Sequence, residues 1–81
     1  MRPRRTRRPY VTPLGREWWQ GGRWTTPDWT KGGASSWKDC RTLRQAFRVA
    51  ASCPSGAEVW LPVKRGGVWV EIGWVVGPNP V

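Results

Sequence analysis

The chain has 81 residues, a net charge of +9 and eight tryptophans, and it contains two cysteines but no histidine. A chain this short forms a single small domain, and its tryptophans must supply much of the core. The lack of histidine and the presence of only two cysteines exclude the usual zinc sites and a histidine base, so we expect no metal and no cofactor. The basic excess indicates a polyanionic or acidic partner, most often nucleic acid.

Residues 1–15 are rich in arginine and proline. Proline donates no backbone hydrogen bond and the like charges repel one another, so this segment is predicted to be an extended or disordered arm. Such an arm is typical of modules that lay arginine along a phosphate backbone or in a minor groove, although a solvated tail has the same composition. Residues 16–76 then form one domain, and residues 77–81 form a C-terminal tail.

A first β-hairpin is predicted from two strand-like segments, residues 17–20 and 23–26, which are joined by a Gly-Gly pair. Glycine accepts the positive φ that a two-residue hairpin turn requires. The turn fixes the register of the strands and places Trp19 opposite Trp24. A cross-strand pair of indoles stabilises the hairpin directly.

The segment from Ser36 to Ser52 is predicted to be one amphipathic helix. Ser36 stands three residues before Asp39, a spacing typical of a capping box, and Pro54 ends the helix because the residue before proline leaves the α region. At about 100° per residue, the apolar side chains form one stripe that faces the core. This stripe consists of Cys40, Leu43, Phe47, Ala50 and Ala51, with Trp37 at its edge. Three arginines form a second, narrower stripe beside it.

A second hairpin is predicted from residues 57–63 and 68–76, with Lys64-Arg65-Gly66-Gly67 as its turn. Alternation places the aliphatic side chains on one face, which should pack on the helix, and Trp60 and Trp69 on the other. Pro62 indicates an edge position, because proline cannot donate to a ladder. The predicted fold is therefore α+β in the order ββαββ, with an antiparallel sheet packed on one amphipathic helix and a basic N-terminal arm.

Basic side chains form the first candidate contact surface. They lie in the arm, along the predicted helix and in the second turn, and they are Arg2, Arg4, Arg5, Arg7, Arg8, Lys38, Arg41, Arg44, Arg48, Lys64 and Arg65. Arginines that neutralise phosphates also complement carboxylates, so this surface fits a nucleic acid or an acidic protein. A solvated helix face and tail would have the same composition.

Tryptophans form the second candidate contact surface, which consists of Trp18, Trp24, Trp29, Trp60 and Trp69. Bases stack on exposed indoles, and tryptophan together with arginine also dominates protein interfaces. Core packing is the competing interpretation, because a domain this small needs most of its tryptophans for burial.

The ionisable side chains form no catalytic pattern. The carboxylates are scattered along the chain, and they are Glu17, Asp28, Asp39, Glu58 and Glu71. The glycines near Lys31 lack the order of a phosphate-binding loop. We therefore expect no enzymatic activity and no small-molecule substrate.

The two cysteines are expected to be free thiols. Cys40 and Cys53 are thirteen residues apart, at the two ends of the predicted helix, which is beyond the reach of a disulfide. Free thiols indicate a reducing, cytoplasmic setting. No signal peptide and no membrane span are expected, because no apolar run is long enough for either.

The sequence thus predicts a small basic binding module without catalytic function, acting on nucleic acid or on a nucleoprotein machine. An alternative of another class is a protein-only inhibitor or assembly factor, which binds an acidic surface of a protein complex through its arginines and exposed tryptophans. In size and composition the chain resembles the small basic accessory proteins that bacteriophages make to bind and redirect host machinery. This resemblance is one of general character and is carried by no particular residue.

Overall fold

The computed structural model of the protein describes residues 8–26 and 36–78. The elements of this part of the chain are, in order, β1 (Tyr10–Pro13), β2 (Trp18–Gln20), β3 (Arg23–Thr25), β4 (Lys38–Asp39), α1 (Leu43–Ala51), β5 (Ala57–Arg65) and β6 (Val68–Val76). The predicted arginines at 2, 4, 5 and 7 and the tryptophan at 29 lie outside the described residues.

The described strands form two antiparallel sheets. One has four strands in the order β4-β1-β5-β6, and the other is the β2-β3 hairpin. The helix α1 packs on the four-stranded sheet, mainly against β5 and β1. The predicted α+β fold, with an antiparallel sheet on one helix and a hairpin on each side of that helix in sequence, is confirmed. Two strands, β1 and β4, were not predicted.

Strand β1 corrects the predicted limit of the N-terminal arm. Tyr10–Pro13 lies between β4 and β5, and Val11 has no exposed surface. The two prolines that argued against a ladder do not interrupt it, because Pro9 precedes the strand and Pro13 is its last residue, paired with β5 alone. Tyr10 and Val11 supply the apolar surface that anchors the strand.

The helix begins later than predicted, at Leu43 rather than near Ser36. Thr42 is its N-cap, and the Thr42 hydroxyl accepts a 3.0 Å hydrogen bond from the Gln45 N–H. The Gln45 side chain reaches back and accepts a 2.8 Å bond from the N–H of Arg41. This Thr-x-x-Gln arrangement replaces the predicted Ser36 cap, because Lys38 and Asp39 pair with β1 instead of entering the helix. The helix ends at Ala51, three residues before Pro54, which was predicted to end it.

The core lies between α1, β1 and β5. Its members are Val11, Trp24, Cys40, Ala46, Val49, Ala50, Cys53, Ala57 and Val59. Of the predicted helical stripe, Ala50 is buried, Leu43 and Phe47 are half-buried against the core, and Ala51 is exposed. Cys40 is buried, as predicted, but it lies in the segment before the helix and not within the helix.

The first hairpin has the predicted register. Trp19 lies opposite Trp24, with ring centroids 5.3 Å apart in an edge-to-face arrangement. Trp24 is buried, and its Nε1 donates a 2.9 Å hydrogen bond to the carbonyl of Val49 in the last turns of α1. This bond fastens the hairpin to the helix.

The second hairpin is longer than predicted. Lys64 and Arg65 belong to β5, and the turn is the pair Gly66-Gly67, with φ of 58° and 80°. Pro62 has the predicted edge position, because β1 reaches only to Trp60 and no strand of the described residues lies along the outer side of residues 61–65.

The far half of this hairpin extends beyond the core. A nine-residue helix covers about 13 Å, whereas a nine-residue strand covers about 30 Å, so α1 cannot cover the aliphatic face along its whole length. Val68 and Val70 are accordingly 61% and 40% exposed. The prediction that this whole face packs on the helix is wrong for these residues, because the true helix is only about half as long as the predicted one.

Candidate nucleic-acid interface

The arginines of the described chain all lie at the surface. These exposed arginines are Arg8, Arg16, Arg23, Arg41, Arg44, Arg48 and Arg65. Lys64 is exposed as well, whereas Lys38 is half-buried with its ammonium 5.9 Å from the centroid of the Trp19 ring. The described cations that were predicted to contact a partner are therefore accessible, except that Lys38 is half-buried and interacts with the Trp19 ring.

Two of the carboxylates are buried or half-buried and accept hydrogen bonds from hydroxyl groups. Glu17 is buried, and one of its oxygens accepts a hydrogen bond from the Ser55 hydroxyl. Glu71 is half-buried and accepts a 2.6 Å bond from the Tyr10 hydroxyl. Hydrogen bonds of this kind stabilise carboxylates that are removed from water. The seven described arginines are all exposed, whereas Asp39 is the one described acidic residue that is.

The helix presents two arginines on its solvent face. Arg44 and Arg48 are four residues apart, which brings their Cβ atoms within about 6 Å of each other, and both are exposed. The predicted stripe of three helical arginines is wrong in one respect, because Arg41 precedes the N-cap. Arg41 is nevertheless exposed and lies next to the first turn. The opposite side of α1 is held by Ala46 and Ala50, which are completely buried, so the rotation of the helix is fixed.

The tip of the β5–β6 hairpin carries the other predicted cations. Lys64 lies opposite Trp69, and Arg65 lies opposite Val68. Directly opposed side chains of an antiparallel pair lie on the same face, so Lys64 and Trp69 form one basic and aromatic pair. Trp69 is 49% exposed.

The other predicted aromatic contacts differ in their accessibility. Trp24 belongs to the core and is only 9% exposed. Trp60 is half-buried and stacks with Tyr10, with ring centroids 6.5 Å apart. The Nε1 of Trp60 donates a 3.1 Å hydrogen bond to the Thr12 hydroxyl. Trp18 is half-buried in β2. Of the predicted aromatic set, Trp69 is thus the described member with the largest exposed fraction.

Sequence reasoning missed three exposed side chains. Trp74 was in neither predicted contact surface; it contacts Phe47 edge to face with ring centroids 5.6 Å apart, yet it remains 36% exposed. Arg16 and Arg23 are exposed on either side of β2 but were in no predicted surface. Arg23 could have been found, since it directly follows a Gly-Gly turn, and turns lie at the surface.

The described residues form no candidate metal site. No group of three histidine, cysteine, aspartate or glutamate side chains converges within residues 8–26 and 36–78. Both cysteines are free and buried. Burial raises the pKa of the Cys40 thiol and of the Cys53 thiol above that of an exposed cysteine, because the thiolate is poorly solvated inside the fold. Neither thiol is suited to act as a nucleophile.

Comparison with known proteins identifies no relative: neither a family model, nor a curated protein, nor a solved structure matches the chain. Among the described residues, the one helix is far too short to cross a bilayer.

Proposed function

We propose that the protein is a small binding module without catalytic function that acts on nucleic acid or on a nucleoprotein complex. The main support for this proposal is the difference in exposure between the basic and the acidic side chains. All seven described arginines are exposed, whereas Glu17 and Glu71 are drawn into hydrogen bonds inside the fold. A polyanion is the partner that best matches such a surface.

The arginines of the helix support contact with a phosphate backbone. Arg44 and Arg48 lie on a helix whose other face is buried, so both guanidinium groups are presented from the same exposed side of the domain. The five arginines within the first eight residues add charge to the same small domain. Contacts of arginine to phosphate position a protein on nucleic acid without reading its sequence, so we propose a binder with little sequence preference.

The alternative partner is an acidic protein surface, and the hairpin tip favours it. Lys64 and the half-exposed Trp69 lie side by side on one face of the hairpin tip. Tryptophan is enriched at the energetic centre of protein interfaces, and the neighbouring ammonium group of Lys64 would favour an acidic partner. In either case we propose a reducing compartment such as the cytoplasm as the working environment, because both thiols are free and buried.

Affinity capture of the tagged full-length protein from lysate, with and without nuclease, distinguishes the two partners. If the protein binds nucleic acid, nuclease treatment removes the captured material, and Arg44→Glu weakens capture while Trp69→Ala has less effect. If nuclease leaves a protein partner in place and Trp69→Ala releases it, the partner is an acidic protein and the proposed nucleic-acid function is wrong. Each variant is matched by its conservative counterpart, Arg44→Lys or Trp69→Phe, which keeps the charge or the aromatic ring.

A further inference from the structure

The helix α1 leaves part of its own side of the sheet uncovered. Val59 of β5 is completely buried in the core beneath α1 and marks this side, which alternate residues of β5 and β6 share. The part of it beyond the helix, which we call the open face, consists of Leu61, Val63, Val68, Val70, Ile72 and Trp74. Val68, Val70 and Trp74 are 61%, 40% and 36% exposed, and the other three are half-buried. Exposed apolar side chains that adjoin one another in this way mark an interaction site.

The open face has the length of a short helix. The edge-to-face contact of Phe47 with Trp74, at 5.6 Å between ring centroids, marks the limit of what α1 covers. From Trp74 to Val68 the open face continues over about 20 Å, at about 3.4 Å per residue. A helix of about 14 residues has the same length, at about 1.5 Å per residue. Helices are the elements that cover the apolar faces of sheets in α+β folds, so one more helix would continue the layer that α1 begins.

The charges around the open face all have the same sign. The strand registers place three carboxylates on the side of the sheet that faces away from α1, namely Asp39, Glu58 and Glu71. The open face itself and α1 contain no acidic residue. Arg44 and Arg48 are exposed on α1, and Arg65 lies opposite Val68 on the open-face side of the hairpin tip. The open face is therefore bordered by three exposed arginines, which complement an acidic partner.

We propose that the open face binds an amphipathic helix of a partner protein, with the apolar stripe of that helix on the valines and its acidic residues toward the three arginines. A helix satisfies its own backbone hydrogen bonds and can lie flat on a sheet, whereas an extended segment in that position would leave its backbone groups unpaired. Burial of the aliphatic side chains stabilises such a complex, and carboxylates form strong hydrogen bonds to arginine.

Aliphatic side chains distinguish this partner from a nucleic acid. Protein contacts with a phosphate backbone come from charged and polar groups, and bases stack on aromatic rings, so Val68 and Val70 would gain little from either. The proposal thus goes beyond the proposed nucleic-acid function. It shares Arg44 and Arg48 with that function but rests on side chains that have no part in binding phosphate.

Fluorescence anisotropy of a labelled synthetic peptide, titrated with the full-length protein, tests the partner. The peptide has about 14 residues, with leucine at every third or fourth position and glutamate and alanine elsewhere. A scrambled peptide of the same composition has the same charge but no apolar stripe. We expect the amphipathic peptide to bind at least about tenfold more tightly than the scrambled one, a difference of about 1.4 kcal/mol. Equal affinities, or no binding of either peptide, overturn the proposal.

Two valines of β6 provide matched variants for the location of the site. Val70 lies on the open face and Val75 on the opposite side of the sheet, and both are exposed. Val70→Asp should raise the dissociation constant of the amphipathic peptide by about tenfold or more, because it places a charge under the apolar stripe. Val75→Asp makes the same change of charge and should have little effect. Equal effects of the two variants would show that the peptide binds elsewhere.

The same two variants distinguish this site from the proposed nucleic-acid site and from a membrane. Val70→Asp and Val75→Asp should bind a single-stranded oligonucleotide with equal affinity, whether or not the wild type binds it tightly. They should also behave alike toward vesicles of phosphatidylcholine and phosphatidylserine. If Val70→Asp selectively weakens binding of the oligonucleotide or of the vesicles and leaves peptide binding unchanged, that other partner covers the open face and the proposal is wrong.

Methyl resonances of the wild-type protein test the site without any variant that must fold. Addition of the amphipathic peptide should shift the methyl signals of Val63, Val70 and Ile72, which lie on the open face. The methyl signals of Val75, on the other side of the sheet, should stay in place. Shifts at Val75 without shifts on the open face would overturn the proposal.

Discussion

The hydroxyl of Tyr10 donates a 2.6 Å hydrogen bond to a carboxylate oxygen of Glu71, 61 residues later in the chain. Tyr10 lies in β1 and Glu71 in β6, so the bond crosses over β5 and links three strands of the sheet. Tyr10 is only 3% exposed. The bond therefore ties the start of the described chain to its last strand and draws one of the few carboxylates away from the basic surface.

Tyr10→Phe should destabilise the fold by about 1.5–3 kcal/mol, the usual contribution of a hydrogen bond to a charged group, while keeping the ring in place. Chemical denaturation of Tyr10→Phe, Glu71→Gln and the double variant gives the coupling between the two side chains. A coupling free energy near zero would show that the bond contributes nothing to stability.

Val11 and Val75 provide a matched pair of valines in opposite environments. Val11 has no exposed surface, whereas Val75 is 68% exposed. Val11→Ala should cost about 2 kcal/mol, because it removes two buried methyl groups and leaves a cavity. Val75→Ala should change the free energy of unfolding by less than about 0.5 kcal/mol, because its side chain is largely in solvent. Similar losses for the two variants would refute the placement of β1 inside the sheet.

The position of the helix cap is tested by two alanine substitutions. Thr42→Ala removes the hydroxyl that accepts the Gln45 N–H and should cost about 1 kcal/mol. Ser36→Ala should have little effect, because Ser36 precedes β4 and caps no helix. The midpoint of urea unfolding measures both. A larger loss for Ser36→Ala would restore the longer helix that the sequence suggests.

Because the two thiols are buried, the free energy of unfolding should fall at alkaline pH. Burial raises the pKa of Cys40 and of Cys53, so the folded protein holds these protons more tightly than the unfolded chain does. The two protonated thiols contribute fully to the free energy of unfolding below the pH at which an unfolded thiol ionises, about 8.5. This contribution is lost as the pH rises through the pKa of the thiols in the folded protein. Cys40→Ala should therefore flatten the fall in stability above that pH, as measured by urea unfolding at a series of pH values. A fall as steep as that of the wild type would show that Cys40 does not contribute.

Both hairpins and the α+β class could be predicted from the sequence because their signals are local. A Gly-Gly pair between two apolar segments fixes the turn and the register, and the opposition of Trp19 and Trp24 follows from it. Strands β1 and β4 could not be predicted in this way. The pairing of Val11 with Lys38 joins residues 27 positions apart, and neither strand is long enough to show an alternating pattern.

The helix start was mispredicted because the sequence offers two possible caps. Ser36-x-x-Asp39 and Thr42-x-x-Gln45 both have capping-box spacing, and local sequence does not choose between them. The choice is made by tertiary structure, since Asp39 pairs with Tyr10. Of the candidate site, the exposure of the arginines could be predicted because their charge keeps them in water. The exposure of each tryptophan could not, since it depends on how far the helix covers the sheet.

The dependence of affinity on salt concentration tests the proposed binding of nucleic acid. The arm supplies five arginines in the first eight residues, and Arg41, Arg44 and Arg48 bring the total that could meet phosphates to eight. A plot of log K against log salt concentration on duplex DNA should then have a slope as steep as about −7, at about 0.9 per phosphate contact. Deletion of residues 1–8 should make the slope shallower by up to about 4, and a chain of full length with those five arginines replaced by glutamine should match the deletion. Arg44→Glu should weaken binding to all sequences alike. If the protein binds nucleic acid as proposed, we expect this set of slopes; no measurable affinity of the full-length protein for single- or double-stranded nucleic acid at about 50 mM salt would show that the proposed function is wrong.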